Sequence, residues 1–380
     1  MTITLADARV VTPEGVHDGW LTIEDGRITH IGQGGAPGPG HSLGGRYVVP
    51  GFVDIHNHGG AGGSFPSGDP DQASRIAALH AEHGTTTLIA SLVTATLDDI
   101  ARATAALADL CEEGLLAGIH FEGPYISKAR CGAHDPALLR EPSVREFREL
   151  LAAGRGHVRM LTIAAELPGA TDTIREAVAN GVIAALGHSD ADYAQTIAGI
   201  EAGAAVATHL FNAMPQLGHR EPGPIAALLE DERVTVELVN DGVHVHPAML
   251  RLAYRAAGAS RTALITDAMA AAGVGDGSYG LGPLKVEVVD GVARLAGGPG
   301  AGSIAGSTLT MDVAFRRAVR ELGLSLPEAA EAASLTPARV LGLADRIGSL
   351  SVGKQADLVV LTDGLEVAGV MRRGSWITEP

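Results

Sequence analysis

Cysteines and basic residues are scarce in this chain, and each scarcity excludes a class of protein. Only two cysteines occur in 380 residues, Cys111 and Cys131, too few for a disulfide framework or for a zinc site of paired cysteines. Basic residues number 28 against 44 acidic ones, which gives a net charge of −16. This balance argues against nucleic acid or an anionic membrane as a partner. We therefore expect a cytoplasmic protein in which any anionic ligand enters a local basic pocket.

Long apolar runs are also absent. No stretch of about 18 apolar residues is present to span a bilayer. The opening MTITLADARVV lacks the charged start and continuous apolar segment of a signal peptide, so we expect neither a membrane span nor a visible export signal. Apolar residues make up 46% of the chain and aromatic residues only 3%. This composition predicts a large globular core of aliphatic side chains and alanine.

The chain does contain a repeated alternation of strand and helix patterns. After Pro50, apolar strand-like runs are followed by Ala-rich helical periods, which predicts βα units around a parallel sheet. Eight such runs follow one another between residues 49 and 269: VPGFVDIH, TTTLIASL, GLLAGIHFEG, VRMLTIAAE, GVIAALGHS, AAVATHLFN, VTVELVNDGVH and TALITDAM. Eight parallel strands close a (β/α)8 barrel of the TIM type. We therefore predict an α/β barrel over residues 49–345.

The two ends of the chain have a different pattern. Residues 1–48 alternate as short strands separated by turn signals such as Asp25-Gly26, and residues 346–380 return to the same pattern. We predict that the two ends together form one small β-sandwich domain. A hairpin signal at Asp290-Gly291 predicts a β-ribbon inserted into the barrel near residues 281–300.

Polar residues follow most of the eight apolar runs. In a barrel the carboxyl ends of the strands meet on one face, where catalytic sites are built. For any single histidine, an ordinary strand-end residue is the more common explanation. The repetition of metal-binding chemistry at several ends argues against coincidence. The residues are His56 and His58, Glu122, Glu166, His188, His209 with Asn212, His244, and Asp267.

Several of these residues suit a metal site. His56 and His58 are two residues apart on a strand, so both imidazoles can face one ion, although two exposed histidines in a Gly-rich turn remain an alternative. His188 and His209 end consecutive strands and, with Glu122, give three ligands and an open position for water. A helix cap or salt bridge is the alternative for Glu122.

Asp267, in LITDAM, closes the eighth run. Its carboxylate can accept a proton from metal-activated water and return it to a leaving nitrogen. The alternative is a helix N-cap.

The motifs HNH, FEGP, GHS, THLFNAM, DGVH and TDAM, with GSTLTM at 306–311, resemble those of the amidohydrolase superfamily. FEGPY, THLFNAM and DGVH together are more specific and are similar to the N-acetylglucosamine-6-phosphate deacetylases. The resemblance runs from about residue 48 to about residue 361. It implies an enzyme of amino-sugar catabolism and cell-wall sugar recycling. A metal-activated water would deacetylate N-acetyl-D-glucosamine 6-phosphate, releasing D-glucosamine 6-phosphate and acetate.

The resemblance also assigns roles to individual residues. One or two divalent ions are implied; zinc is favoured, and iron, manganese and cobalt remain open. Asp267 would be the acid/base, and His134, in CGAHDP, would bind the acetyl carbonyl and stabilise the oxyanion; a histidine in a disordered loop is its alternative. The implied ligands are Glu122, His188 and His209 for the common ion, and His56, His58 and Asp267 for a second ion that Glu122 bridges.

For the phosphate, the resemblance implies a site formed by Asn212, the Ala213 backbone amide, His244 and Arg220. In that family the arginine reaches the neighbouring active site, so Arg220 implies a homodimer. An ordinary surface arginine is the alternative.

Two other functions remain open at this point. The chain could be another amidohydrolase, acting on a different N-acyl sugar or on a cyclic amide. Relatives of the hydantoinase type place a carboxylated lysine on strand four, but that run ends at Glu166, and the lysines are Lys128, Lys285 and Lys354. A non-catalytic sugar-phosphate-binding scaffold is the other alternative, although such a protein would be expected to lose Asp267.

Overall fold

The computed structural model describes residues 2–298 and 300–380. These residues divide into two compact units. The first contains the chain up to Asp54, together with His80–Thr87 and Thr310–Pro380, and the second contains Ile55–Leu79 and Leu88–Leu309.

Strands from both chain ends share one sheet in the first unit. The C-terminal strand Leu358–Leu361 pairs antiparallel with Tyr47–Pro50, so main-chain hydrogen bonds join the two ends of the chain. This pairing confirms that both termini contribute to one β-structure. From one edge, the strand order is Ser375–Thr378, Val367–Arg372, Leu358–Leu361, Tyr47–Pro50, Thr2–Thr12, Gly15–Glu24 and Arg27–Gln33, with His41–Ser42 paired to Thr2–Thr12.

Aliphatic side chains fill the core beneath this sheet, as the low aromatic content predicts. Leu5, Val10, Leu21, Val48 and Leu358 belong to one buried cluster. Cluster members from one strand are mostly two residues apart, as Leu21 and Ile23 are, which is the period of side chains on one face of a strand.

Helices of the first unit pack on aromatic residues as well. The rings of Phe52 and Phe315 lie 5.3 Å apart between centroids, and both side chains are fully buried. The α-helices are Met311–Arg317, Leu326–Ala330 and Thr336–Val340, and π-helical turns occupy Ala318–Leu322 and Glu331–Leu335.

Truncation of this aromatic pair tests the core of the first unit. Phe315→Ala should lower the free energy of unfolding by about 3–5 kcal/mol, because it removes a buried ring and leaves a cavity. The exposed Val352→Ala, in the same unit, should change the unfolding free energy by less than about 0.5 kcal/mol. Denaturant titrations followed by circular dichroism measure both. Equal effects of the two substitutions would contradict a close-packed Phe52–Phe315 pair.

Eight parallel strands form the barrel. Neighbouring strands in chain order are hydrogen-bonded to each other. Beyond the ends of the first and last strands, Asn57 bridges Ala268, and the Asp267 amide donates to the His56 carbonyl at 2.9 Å. The predicted (β/α)8 barrel is therefore confirmed. Barrel strands one to eight are Phe52–Asp54, Thr85–Val93, Gly118–Glu122, Val158–Ile163, Ile183–Leu186, Val206–Ala207, Thr235–Val239 and Thr262–Ile265.

Helices alternate with these strands. Several begin at side-chain caps, such as Thr96, whose hydroxyl accepts from the Asp99 amide, and Asp192, which forms a capping box with Gln195. Among the described residues, no helix is both long and apolar enough to cross a membrane. The α-helices are Pro70–Glu82, Leu97–Glu112, Val144–Ala153, Ala170–Ala179, Tyr193–Glu201, Gly223–Glu230 and Pro247–Ala257; the 3-10 turns are Phe65–Ser67, Lys128–Arg130 and Ala259–Arg261.

Left-handed backbone follows several barrel strands at their carboxyl ends. Strand six spans only Val206–Ala207, shorter than the run AAVATHLFN, because non-glycine residues after it adopt positive φ. Such conformations are uncommon outside glycine and are concentrated at functional sites. The residues are His188 at 47°, His209 at 26°, Phe211 at 80°, Ala213 at 51° and Asp267 at 49°.

A three-stranded antiparallel sheet follows barrel strand eight. It consists of Gly277–Leu281, Leu284–Val289 and Val292–Leu295. Between the last two strands the chain turns at Asp290 and Gly291, whose amides both donate to the Asp276 carboxylate at 2.9 Å. A small hairpin of Gly59–Gly60 and Gly63–Ser64 follows strand one.

Candidate active site

Glu122 lies at the centre of a buried histidine cluster at the barrel mouth. Its Oε1 is 3.1 Å from His188 Nε2, 3.0 Å from His209 Nε2 and 3.4 Å from His56 Nε2. Its Oε2 is 3.2 Å from His58 Nε2. The structure therefore brings together side chains that are supplied by barrel strands one, three, five and six.

The histidine nitrogens also lie close to one another. The Nε2 atoms are 3.1 Å apart for His56 and His58, and 3.0 Å apart for His188 and His209. Ligands of a tetrahedral ion with bonds of about 2.0–2.1 Å lie about 3.3–3.4 Å apart. All four residues are at most 5% exposed, so few waters can solvate these nitrogens. The donor set fits one or two divalent ions.

Hydrogen bonds on the outer side of three rings orient them toward the centre. In each case Nδ1 faces a carboxylate or carbonyl oxygen, which can only accept a hydrogen bond. Nδ1 must therefore carry the hydrogen, and a neutral ring then presents the Nε2 lone pair to a metal ion. The pairs are His56 Nδ1 with Glu237 Oε2 at 3.0 Å, His58 Nδ1 with the Ser91 carbonyl at 3.2 Å, and His188 Nδ1 with the Arg130 carbonyl at 2.9 Å.

His134 has the opposite arrangement. The Thr94 amide donates to its Nδ1 at 3.2 Å, so Nδ1 must be the acceptor. Burial lowers the pKa of His134 to about 4, so the ring is neutral near pH 7 and carries its hydrogen on Nε2. That Nε2 lies 3.3 Å from Glu122 Oε2. Although Glu122, His134 and His188 are close enough to hold an ion together, this tautomer makes His134 a hydrogen-bond donor rather than a ligand.

Asp267 lies between the histidine pair of strand one and His244. Its Oδ1 is 3.3 Å from His58 Nε2, and its Oδ2 is 3.6 Å from His244 Nε2. Burial alone would raise the pKa of Asp267, but the hydrogen bond with His58 and the nearby charges of His56 and His244 hold it well below its usual range. The carboxylate is therefore ionised and able to accept a proton.

His244 is itself held by Asp241. Its Nδ1 lies 2.6 Å from Asp241 Oδ2, and its Nε2 faces Asp267. Burial opposes its charge, but the hydrogen bond with Asp241 and the charge of Asp267 raise the pKa of His244. Two carboxylates, those of Asp241 and Asp267, thus favour the protonated form of this ring.

Most of the residues predicted to bind substrate line a cavity of about 350 Å³ in the second unit. Asn212 and Ala213 lie in its wall with His134, His244 and Asp267. The backbone N–H of Ala213 makes no hydrogen bond with any residue in 2–298 or 300–380. It remains available as a donor to an anion.

Two predicted residues lie outside this cluster. The Glu166 carboxylate accepts from the Ser189 hydroxyl at 2.6 Å and the Asp190 amide at 2.7 Å, so it stabilises the loop that follows His188. Arg220 is exposed and does not line the cavity.

Sequence reasoning missed residues that hold the ligands in place. Glu237 could have been noticed as a single carboxylate inside the apolar run VTVELV. His120 precedes Glu122 by two residues, so it lies on the same face of strand three; it bonds Ser91 Oγ at 2.9 Å and Thr162 Oγ1 at 2.8 Å. No sequence pattern identifies the Thr94 amide, because every residue except proline has one.

The number of protons released on metal binding tests the raised pKa values in the histidine cluster. Without metal, burial opposes the charge of His58, but hydrogen bonds with Asp267 and Glu122 raise its pKa to about 9, and Glu122 and Glu237 raise the pKa of His56 well above its ordinary value. Below about pH 9 the metal must displace these protons, so apparent affinity should rise with pH up to that value. Calorimetry at pH 6 to 8 in buffers of different ionisation enthalpy counts the protons released.

His83→Asn is the matched control for this measurement, because it removes a histidine paired with a carboxylate, that of Asp312, among the residues of the first unit. The control should release as many protons as the wild type. An affinity that does not depend on pH, with no proton released, would contradict the charge distribution described for His56 and His58.

A sequence profile of the amidohydrolase family matches residues 47–377 of this chain. The chain belongs to the amidohydrolase family.

Relatives within this family match over almost the whole chain. N-acetylgalactosamine-6-phosphate deacetylase of Escherichia coli O157:H7 is 39% identical over 379 residues, covering 98% of this chain and 99% of that protein. N-acetylglucosamine-6-phosphate deacetylase of Bacillus subtilis (strain 168) is 33% identical over 386 residues, covering 98% of this chain and 96% of that protein.

Solved structures extend the comparison to the fold. The D267A mutant of N-acetyl-D-glucosamine-6-phosphate deacetylase from Mycobacterium smegmatis, in complex with N-acetyl-D-glucosamine-6-phosphate, superposes with a TM-score of 0.96. It is 49% identical and covers 99% of each chain. N-acetylglucosamine-6-phosphate deacetylase from Thermotoga maritima superposes with a TM-score of 0.90 at 32% identity, and the match covers 100% of each chain.

Proposed function

We propose that this amidohydrolase is a metal-dependent N-acetylglucosamine-6-phosphate deacetylase. The observation that carries the proposal is the convergence of histidine Nε2 atoms and two carboxylates beside a neutral His134 donor in one cavity. The names of the relatives support the substrate class. The proposed products are D-glucosamine 6-phosphate and acetate, which suit a role in the breakdown and recycling of amino sugars. We propose that the enzyme acts in the cytoplasm.

Two sets of residues are proposed to hold the metal. Glu122, His188 and His209 would bind the first ion, and the pair His56 and His58, with Asp267, would complete a second site bridged by Glu122. A bound divalent ion supplies Lewis acidity and lowers the pKa of a coordinated water. Zinc is favoured by the mixed nitrogen and oxygen donors, and iron, manganese and cobalt suit them as well.

The chemistry of the reaction rests on Asp267 and His134. The ionised Asp267 accepts a proton from the water that attacks the acetamide carbon. As the carbonyl oxygen gains charge, His134 donates its Nε2 hydrogen bond to it. Asp267 then passes the proton to the departing nitrogen, so the C–N bond breaks and acetate and the free amine leave.

The phosphate is proposed to bind at Asn212, the Ala213 amide and His244. The cavity wall contains one arginine, Arg130, and this guanidinium already pairs with Asp190 at 2.8 Å. An arginine gives a phosphate a strong, charge-assisted and often bidentate contact. Arg220 is exposed and pairs with no acidic residue that the structure describes, so we propose a homodimer in which it completes the neighbouring cavity.

N-acetylgalactosamine 6-phosphate is the second candidate substrate, because the Escherichia coli relative is named for it and matches over nearly the full length. The two substrates differ only in the configuration at C4. The higher identity of the Mycobacterium smegmatis deacetylase, 49% against 39%, favours the glucosamine compound.

Acetate release tests the reaction and the role of Asp267. The protein should deacetylate N-acetylglucosamine 6-phosphate faster than the galactosamine epimer or the unphosphorylated sugar, and a chelator should abolish turnover. Asp267→Asn should lower kcat by roughly 10² to 10⁴ with the fold retained, because the proton shuttle is lost. Asp172→Asn, which changes an exposed side chain of helix Ala170–Ala179, is the control. If Asp267→Asn kept the kcat of the wild type, Asp267 could not be the acid/base.

Arg220 is tested with mixed dimers. Arg220→Ala should lower kcat/KM by about 10- to 100-fold, because a hydrogen-bonded charge on the phosphate is lost. When the Arg220→Ala protein is unfolded and refolded in an equal mixture with Asp267→Asn, it should regain about a quarter of wild-type activity. Random reassociation makes half of the dimers mixed. In each mixed dimer one of the two cavities is intact, with Asp267 from one subunit and Arg220 from the other. No recovery would show that Arg220 does not act across an interface.

A further inference from the structure

Glu237 is a buried carboxylate to which neither the proposed chemistry nor the predicted ligand set assigns a role. It lies on barrel strand seven, Thr235–Val239, where its neighbours Val236 and Leu238 are apolar. Its exposed fraction is 0%. A charged side chain is rarely buried completely unless it has a partner that compensates the charge.

Glu237 contacts two of the proposed ligands through a single oxygen. Its Oε2 is 3.0 Å from His56 Nδ1 and accepts from the His209 backbone amide at 3.1 Å. These two histidines belong to different ligand sets, His56 to the second ion and His209 to the first. Glu237 therefore links the two halves of the proposed centre.

The other carboxylate oxygen of Glu237 is not satisfied. Oε1 is buried and has no hydrogen-bond partner among the described residues. A half-satisfied buried carboxylate is destabilising by itself, so local hydrogen bonding does not account for it. Cations bound at the adjacent histidines would compensate its negative charge.

Glu237 also differs from the other groups that orient the ligand rings. His58 and His188 donate Nδ1 to neutral backbone carbonyls, those of Ser91 and Arg130. Only His56, among these three rings, faces a carboxylate. A carboxylate behind an imidazole fixes its tautomer and makes the opposite nitrogen a stronger metal ligand.

We propose that Glu237 is a positioning residue that sets the affinity of His56 and His58 for the second metal ion. It keeps the hydrogen on His56 Nδ1 and increases the donor strength of Nε2. This inference rests on the proposed metal centre. It predicts that the binding affinity of the second ion depends on Glu237 more strongly than that of the first ion, whose ligands are Glu122, His188 and His209.

Because other residues also hold the His56 ring in place, the effect of the Glu237 charge can be tested separately from the position of that ring. The ring of His120 lies 4.7 Å from that of His56 at 85°, and His120 is itself bonded to Ser91 and Thr162. Glu237→Gln retains an oxygen that can accept from His56 and His209. The new amide group takes the place of the oxygen that has no partner.

Metal titration of the metal-free, full-length protein tests the inference. Co²⁺ is the probe, and calorimetry together with visible absorption of the bound ion reports each binding step independently of activity. Glu237→Gln should bind the second ion about 10- to 100-fold more weakly, which is the usual cost of losing such an outer partner. The first ion should bind with nearly unchanged affinity, and the absorption band of the second ion should be altered.

Two further variants give the results expected for complete loss of the second ion and for no effect on either ion. His56→Asn removes the ligand itself and should abolish the second step. Asp312→Asn is the matched control, since it alters another buried carboxylate bonded to a histidine Nδ1, that of His83 at 3.1 Å, and should leave both steps unchanged. If circular dichroism shows Glu237→Gln to be unfolded, Glu237→Met is measured instead and should weaken the second step at least as much.

The outcomes separate this inference from the proposed function. A wild-type protein that binds no ion overturns the proposed metal-dependent function itself. If the wild type binds two ions, unchanged affinities in Glu237→Gln overturn the role of Glu237, and so does an equal loss at both steps, which indicates a merely structural effect. A wild type that binds a single ion also overturns it.

Discussion

The convergence of imidazole nitrogens on one carboxylate, Glu122, is the constraint on which the site depends. Five Nε2 atoms, including that of His134, lie within 3.4 Å of its two oxygens, in a place that water barely reaches. Without a metal, the cluster is neutralised by protons, which is why the pKa of His58 rises and that of Glu122 falls. A divalent ion held by the same side chains would neutralise the cluster in place of the protons and would lower the pKa of a coordinated water.

The barrel satisfies this constraint by geometry. Parallel strands end at one mouth, so ligands separated widely in the chain arrive together. Left-handed backbone at His188, His209 and Asp267 then turns each chain segment away from its strand while the side chain stays at the mouth. The cost of this strained backbone is local, and the hydrogen-bonded strands and buried core supply the stability that maintains it.

Tautomers divide the histidines into two chemical classes. His56, His58 and His188 donate from Nδ1 to acceptors and direct Nε2 toward Glu122, whereas the Thr94 amide forces the hydrogen of His134 onto Nε2. The same type of side chain can therefore offer a lone pair from Nε2 in one place and a hydrogen from Nε2 in another. The difference comes entirely from the neighbouring backbone and from Glu237.

The sequence by itself determined the parts that repeat or carry a motif. Eight apolar runs predicted the barrel, and HNH, FEGP, GHS and TDAM pointed to His56, His58, Glu122, His188 and Asp267, because strand periodicity and donor chemistry are local properties. Tertiary structure alone decided the tautomer of each histidine, the place of Glu166 outside the cluster and the contact of Glu237 with His56. These depend on atoms brought together from distant strands, and no local pattern encodes such distances.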